Sequence, residues 1–176
     1  MGQHEIEIKL SFKDKDAIIA ELKRLGAVFK EKYTLADTYF SLEDTDMKNA
    51  KDFLRLRVKD GAAEVTFKGK RETESDIWKR IELTSKVDNP EAVAQMFNHM
   101  QFYTLLENHS EREYWQLGKV EIAFIELTNP AKLKFMELEG HSEEEVQKVF
   151  DKLKGLVEKV GDDYFKILDE ANKRKN

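Results

Sequence analysis

The beginning of the chain alternates strictly between charged and apolar residues. From Glu5 to Leu10 the sequence reads Glu-Ile-Glu-Ile-Lys-Leu. Because neighbouring side chains of a strand point to opposite faces, this segment predicts a strand with one apolar and one charged face. The charged face is unusual, since it places two carboxylates and an ammonium group in one row.

The same alternation returns later and predicts further strands. Segment 53–59 places Arg55, Arg57 and Lys59 on one face, and the Asp-Gly pair at 60–61 predicts a hairpin turn after it. Turn signals and alternation together predict strands at 4–10, 36–40, 53–59, 63–69, 77–87, 102–107, 110–117, 119–127 and 133–139.

Three segments show helical periodicity instead. Segment 13–26 has isoleucine and leucine at helical spacing, after a candidate N-cap at Asp14 and before a glycine. An Asn-Pro pair at 89–90 opens a second predicted helix. A Ser-x-x-Glu capping box at 142–145 opens a third, which we expect to run to about Val160.

These elements predict an α+β fold in one domain over residues 1–176, with a polar tail at 171–176 that is expected to fray. We expect an eight-stranded antiparallel β-barrel with helices packed outside. Amphipathic helices can cover only the exterior of a barrel, which favours a charged lumen. The alternative is an ordinary sheet with solvated charged strands, where each ion pair contributes about 0–1 kcal/mol.

Composition narrows the classes of function. Thirty Lys and Arg stand against 35 Asp and Glu, a net charge of -5, which argues against a general nucleic-acid binder. The absence of cysteine excludes disulfides, thiolate metal sites and a cysteine nucleophile. No apolar run approaches the ~20 residues of a membrane span, and we see no signal peptide. We therefore expect a cytoplasmic protein without nucleic-acid or membrane partners.

The charged faces suggest a specific kind of ligand. Arginine and lysine suit phosphate oxygens, and paired carboxylates suit Mg²⁺ or Mn²⁺. A lumen with both kinds of group is suited to a metal–polyphosphate complex, in which it would stabilise charge that develops on phosphorus.

Several motifs, in order along almost the whole chain, resemble the CYTH domain, the family of triphosphate tunnel metalloenzymes. These motifs are Glu5-x-Glu7-x-Lys9, Asp37-Thr38-Tyr39-Phe40, Leu54-Arg55-Leu56-Arg57, Thr66-Phe67-Lys68-Gly69, Arg80-Ile81-Glu82, Arg112, Glu137-Leu138-Glu139 and Tyr164. The family includes class IV adenylate cyclases, thiamine triphosphatases and inorganic triphosphatases. The layout most resembles the branch named for class IV adenylate cyclases.

The resemblance implies a role for each matched residue. The implied metal ligands, for Mg²⁺ or Mn²⁺, are Glu5, Glu7, Glu137 and Glu139. The implied triphosphate-binding residues are Lys9, Arg55, Arg57, Lys68, Arg80, Glu82 and Arg112. Of these, Lys9, Arg57, Lys68 and Arg112 are also the implied catalytic residues.

The implied reaction is the conversion of ATP to cyclic AMP and pyrophosphate. Hydrolysis of thiamine triphosphate, inorganic triphosphate or a nucleoside triphosphate is an alternative. A non-catalytic nucleotide or polyphosphate binder with a degenerate metal site is another. A homodimer is compatible with the resemblance.

Three positions depart from the family pattern. Ser110 stands where members usually have a lysine, Ile125 where they usually have an acid, and Thr84 where they have a second acid. Glu121 and Glu126 are neighbouring acids, but strict alternation places Glu126 on the face opposite Ile125. Loss of one phosphate ligand and one metal ligand is expected to weaken catalysis more than folding.

Overall fold

The structure is a computed structural model that describes residues 3–46, 49–70 and 78–160, with the backbone alone for 3–5 and 78–79. Three sequence-based expectations lie outside the described residues: the side chain of Glu5, the motif residue Tyr164 and the tail 171–176.

Within the described ranges the chain forms nine strands and three helices. The strands are β1 (Gln3–Phe12), β2 (Val28–Ser41), β3 (Phe53–Lys59), β4 (Ala62–Lys68), β5 (Trp78–Val87), β6 (Tyr103–Leu117), β7 (Val120–Asn129), β8 (Leu133–Gly140) and β9 (Val157–Lys159). The helices are α1 (Lys15–Arg24), α2 (Pro90–His99) and α3 (Glu143–Leu153).

The helices begin where the sequence predicts. The side chains of Asp14, Asn89 and Ser142 each accept a hydrogen bond from a backbone N–H of the following first turn. Helix α3, however, ends well before the expected Val160. Its cap residue is not helical, and Gly155 follows with a φ of +98°, a conformation that favours glycine. The chain then turns and adds β9 to the sheet.

Two strands differ from the prediction. Strand β2 begins at Val28 instead of residue 36, and β6 is one strand where the pattern predicted two. Both follow from one long antiparallel pairing, in which 28–41 lies against 103–116. Most of the added part of β2 is exposed, so it has no alternating apolar signal. The expected break in β6 coincides with a register shift against β7 between His109 and Ser110.

The strands form one sheet in the order β5-β4-β3-β2-β6-β7-β8-β1-β9, and β1 also pairs with β5. Each of these pairings is antiparallel. The expected antiparallel sheet with helices against it is confirmed. The expected closed barrel of eight strands is not confirmed, since the strands form a single nine-stranded sheet in which β9 lies beside β1.

The two faces of the sheet carry different cores. On one face, side chains such as Ile8, Met136 and Leu138 pack with residues of α1 and α3. The opposite face holds a smaller apolar cluster that includes Ile125 and Phe135. Alternation along β7 and β8 explains the division, since neighbouring residues enter different clusters. The second cluster means that the face away from the helices is mixed rather than wholly charged.

None of the three helices found in the described ranges has the length and apolar character needed to cross a membrane.

The apolar cluster between the sheet and helices α1 and α3 should contribute most to stability. Leu138 has no solvent exposure and lies under α3, so Leu138→Ala should lower the free energy of unfolding by about 2–5 kcal/mol. Leu83→Ala is the matched control, because Leu83 on β5 is 53% exposed and should lose far less. Urea denaturation of both variants checks the prediction, and equal losses would contradict this assignment of the core.

Candidate functional site

A cavity of about 180 Å³ opens on the face of the sheet away from α1 and α3. It brings together every predicted site residue whose side chain the structure describes. These residues are Glu7, Lys9, Arg55, Arg57, Lys68, Arg80, Glu82, Arg112, Glu137 and Glu139. The wall also contains residues that the sequence reasoning gave no role in a site: Tyr39, Phe53, Leu106, Asn108, Tyr114, Ala123 and Phe135.

Strand alternation explains why the predicted residues converge. On β1, Ile6, Ile8 and Leu10 enter the core under the helices, so Glu7 and Lys9 must point to the other face. The same period of two places one charged set from each neighbouring strand on the cavity. The charged pattern therefore predicted which charged side chains share this face, although the face as a whole is mixed.

Carboxylates line the cavity across three neighbouring strands. Glu121 on β7 lies opposite Glu139 on β8, which lies opposite Glu7 on β1. Side chains of directly opposite residues have Cβ atoms about 4.5–5.5 Å apart. Glu121 and Glu139 are exposed, so this row reaches the mouth of the cavity, whereas Glu7 is buried.

The acids of this row differ in their electrostatic environment. Desolvation at the cavity wall, reinforced by the charges of Glu7, Glu137 and Glu121, raises the pKa of Glu139 to about 7. Burial would also raise the pKa of Glu7, but the positive charges of Lys9 and Arg80 hold it well below its ordinary value. Negative charge is thus balanced inside the cavity and in excess at its mouth.

The carboxylate oxygens of this row are of the chemical type that a hard divalent cation prefers. Within the described ranges, no group of three or more Asp, Glu or His side chains is arranged to hold a metal ion. The backbone of Glu5 lies opposite Arg80 on β5, two residues from Glu7, while its side chain is outside the described part. The metal ligand set remains a prediction.

All six basic side chains in the wall have a carboxylate oxygen within 4 Å, and Lys9, Lys68 and Arg57 are held most closely. Lys9 contacts Glu137, and its Nζ also lies 3.3 Å from an oxygen of Glu7. Lys68 contacts Glu82. Buried charges need such partners, because desolvation would otherwise cost several kcal/mol. Glu82 therefore holds a lysine of the cavity in place.

The guanidinium groups differ in how closely carboxylates hold them. Arg80 lies 3.6 Å from Glu7, and Arg57 donates two hydrogen bonds, of 2.7 and 2.8 Å, to Asp37. Arg112 is held less closely, with its nearest carboxylates, Glu137 and Asp37, at 3.7 and 3.9 Å.

Arg55 is the other loosely held cation. It donates to the Thr66 hydroxyl at 3.3 Å, and its nearest carboxylate oxygen, on Glu64, is 3.6 Å away. Its buried Nε has no hydrogen-bond partner among the described residues. Arg55 and Arg112 therefore keep donors for an anionic ligand.

Asp37 is the most informative residue that sequence reasoning left without a role. Its side chain is completely buried, accepts the two hydrogen bonds of Arg57, and lies 3.4 Å from the Tyr39 hydroxyl. Burial would raise the pKa of Asp37, but the hydrogen bonds and charge of Arg57 lower it overall. Its signal in the sequence was its phase with Tyr39 on a strand, which placed both on the charged face.

The positions that depart from the family pattern also find explanations. Ile125 is buried in the apolar cluster with Phe135, and Glu126 points the other way, where it pairs with Lys134 at 3.1 Å on the surface. Glu121 is the β7 carboxylate that reaches the cavity. Strand β7 thus places a carboxylate on the cavity at Glu121 instead of at position 125.

The two remaining departures are hydroxyl residues. Ser110 is buried, and its Oγ is 3.5 Å from Nε of Arg112. The hydroxyls of Thr84 and Thr66 lie 3.0 Å apart, which joins β5 to β4. Neither residue replaces the charge that the pattern leads one to expect.

Comparison with known proteins identifies relatives. The family model of the CYTH domain matches residues 3–164. A Methanocaldococcus jannaschii protein named "Putative adenylate cyclase" is 31% identical over 117 residues, which are 66% of this chain and 66% of that protein.

Solved structures share the fold. A Pyrococcus horikoshii protein has a TM-score of 0.72 at 22% identity, with 88% of this chain and 94% of that chain covered. A Hippeastrum protein, described as a "putative adenylyl cyclase" with a dominant triphosphatase activity, has a TM-score of 0.68 at 17% identity, with 89% and 91% covered. At these identities the likeness establishes the fold alone.

The Asp37–Arg57 pair should be a main stabiliser of the cavity wall. Asp37→Asn leaves the Arg57 guanidinium with a neutral partner, and we expect a loss of about 3–5 kcal/mol in the free energy of unfolding at pH 7. Since folding lowers the pKa of Asp37, its contribution is complete above its ordinary value of 3.8 and is lost as the pH falls through the folded value. The difference between the two proteins should therefore be constant from pH 7 to about 4 and narrow below that.

Urea unfolding across this pH range checks both statements. Asp52→Asn is the control, because Asp52 is an exposed aspartate just before β3. A difference between wild type and Asp37→Asn that stays constant down to pH 2 would refute the assignment.

Proposed function

The chain belongs to the CYTH family, and from this premise we propose that it is a divalent-metal-dependent enzyme that acts on a triphosphate in the described cavity. The observation that carries the proposal is the division of the cavity wall. A row of facing carboxylates reaches its mouth, and two guanidinium groups in the wall keep unused hydrogen-bond donors.

We take the cavity to be the lumen of a tunnel. β1 pairs with β8 through Ile6–Leu10 and with β5 through Gln3–Glu7, and these two pairings support a ring of β1 to β8 with β9 outside it. A ring of antiparallel strands keeps one face of every strand away from the helices, and this supports a tunnel with a charged lumen.

The acidic row is the proposed metal-binding part, with Mg²⁺ or Mn²⁺ as the cation. We assign Glu5, Glu7, Glu137 and Glu139 as ligands, and we add Glu121, which supplies on β7 the carboxylate that Ile125 does not. A bound divalent cation supplies charge neutralisation and polarisation of a phosphoryl oxygen. The protein orients the carboxylates by strand register.

The basic side chains bind and orient the phosphates. Arg55 and Arg112 are the first candidates, because their donors are the least engaged. Lys9, Lys68, Arg57 and Arg80 are fixed by carboxylates, so they present their positive charge at defined points of the wall. We assign Lys9, Arg57, Lys68 and Arg112 to the stabilisation of charge that develops on the reacting phosphoryl group.

Cyclisation of ATP is the first candidate reaction. In it the ribose 3′-oxygen forms a bond to the α-phosphorus and pyrophosphate leaves. The arrangement of motifs along the chain and the name of the Methanocaldococcus relative support it. Hydrolysis, in which a water oxygen attacks a phosphorus instead, is the second candidate, and the activity described for the Hippeastrum protein supports it.

Incubation with ATP and Mg²⁺ or Mn²⁺, followed by chromatography of the products, separates the candidates. Cyclic AMP with pyrophosphate supports the cyclase, and ADP with phosphate supports the hydrolase. If neither product forms, the same assay with thiamine triphosphate and inorganic triphosphate follows. Binding without turnover of any of these compounds would reject an enzyme and favour a binding protein.

The metal assignment predicts the effect of Glu7→Gln. This change keeps the shape of a buried side chain and removes its charge, so we expect turnover to fall at least about 100-fold and Mn²⁺ affinity to fall with it. Glu126→Gln is the matched control, because Glu126 lies on β7 but points away from the cavity. Turnover and calorimetric Mn²⁺ binding are compared in proteins whose circular dichroism shows that they are folded. Unchanged Mn²⁺ affinity in Glu7→Gln would remove Glu7 from the ligand set.

The phosphate assignment predicts the effect of Arg112→Gln. Loss of a charge-assisted contact costs about 1.5–3 kcal/mol, so triphosphate affinity should fall about 10–100-fold. Arg24→Gln is the control, since Arg24 pairs with Glu21 on the surface of α1. Equal affinities for the two variants would show that Arg112 does not bind the phosphates.

A further inference from the structure

Asn108 lies in the cavity wall with half of its amide unused. Its side chain is only 4% exposed and lines the cavity from β6. The amide nitrogen donates to the Tyr39 hydroxyl over 3.5 Å, a long hydrogen bond. The amide oxygen is buried and has no hydrogen-bond partner among the described residues. Buried amide oxygens are nearly always paired in native proteins, so this one requires an explanation.

The neighbouring groups determine which amide atom is left unused. The Tyr39 hydroxyl has a single proton and directs it to the carboxylate of Asp37, at 3.4 Å. The tyrosine oxygen can therefore only accept from Asn108, which requires the amide nitrogen to face it. The amide oxygen is thus the unpartnered atom.

A second unused group lies on the other side of the same tyrosine. Arg55 is directly opposite Tyr39 in the β2–β3 register, lines the same cavity, and has a buried Nε without a partner among the described residues. The two unpaired atoms are complementary, since Nε of Arg55 is a donor and the amide oxygen of Asn108 is an acceptor. Each costs about 1–3 kcal/mol if it stays unpaired, so folding alone gives no reason to keep them.

A phosphate group could form a hydrogen bond with only one of these two atoms. An ionised phosphate oxygen is an acceptor only, so it can serve Arg55 but not the oxygen of Asn108. A group that carries an O–H or N–H is required there. The wall beside these residues includes Phe53 and Leu106, apolar side chains that suit an organic group rather than a chain of phosphates.

We infer that the Tyr39 side of the cavity recognises a hydrogen-bond donor on the organic part of the substrate through the Asn108 amide oxygen. The substrate class is then an organic triphosphate whose organic group bears a hydroxyl or N–H, in preference to inorganic triphosphate. This inference rests on the proposed function, because it assumes that a triphosphate occupies the cavity.

Asn108→Leu tests the inference, because leucine has a similar size and neither donates nor accepts. Dissociation constants are measured by calorimetry at pH 8, with Ca²⁺ as a divalent cation and the absence of turnover checked by chromatography. The ligands are ATP, 2′,3′-dideoxy-ATP and inorganic triphosphate. Wild type should prefer ATP, and the variant should lose about tenfold in ATP affinity while inorganic triphosphate changes less than about twofold. Asn98→Leu on the exposed surface of α2 is the matched control.

The dideoxy compound identifies the donor. The donor is a sugar hydroxyl if wild type binds 2′,3′-dideoxy-ATP about tenfold more weakly than ATP, whereas the variant binds the two compounds equally well. If the dideoxy compound behaves like ATP in both proteins, the donor lies on the base. Either result supports recognition of the organic part.

Three results would overturn the inference and leave the proposed function intact. The first is an equal loss of affinity for ATP and for inorganic triphosphate in the variant, which would indicate a structural role. The second is no loss of affinity for either ligand in the variant. The third is wild-type protein that binds inorganic triphosphate as tightly as ATP. Failure of wild type to bind any triphosphate would instead overturn the proposed function and the inference together.

Discussion

The mutual neutralisation of buried charges is the constraint on which the rest of this structure depends. Lys9 lies between Glu7 and Glu137 and has little solvent exposure, so neither the lysine nor the acids could remain there alone. Because Lys9 lies on β1 and Glu137 on β8, this ion pair also specifies the register of the two strands. Removal of one partner would leave an uncompensated charge in the sheet, which is far costlier than the loss of a surface pair.

Burial of apolar side chains on the other face of the sheet offsets the free-energy cost of the buried charges. Residues such as Ile8 and Leu138 pack under α1 and α3 and hold β1 against β8. Since side chains alternate, a core that fixes one face also fixes the direction of every charged side chain on the other. Stability and the candidate site are therefore coupled through register, although they lie on opposite faces.

The distribution of contacts separates two kinds of basic residue. Lys9, Lys68 and Arg57 are held by internal carboxylates, and this lowers the entropy that binding would otherwise cost. Arg55 and Arg112 retain donors, so we propose that a ligand would gain most of its new hydrogen bonds from them. Under the proposed function, such a cavity would be preorganised around its fixed charges and would keep specific groups for recognition.

The sequence by itself determined most of the local elements and which charged side chains share a face. Strict alternation predicted β3 with correct bounds, the capping residues predicted the starts of the helices, and the charged phase predicted which side chains share a face. Those properties depend on periods of two and 3.6 residues, which are visible in one strand or helix.

Only the tertiary structure decided what depends on pairing between distant strands. It brought Glu121 into the row of Glu139, paired Asp37 with Arg57, extended β2, and left Asn108 with an unused oxygen. Register and bulges between strands set these relations, and no local pattern encodes them.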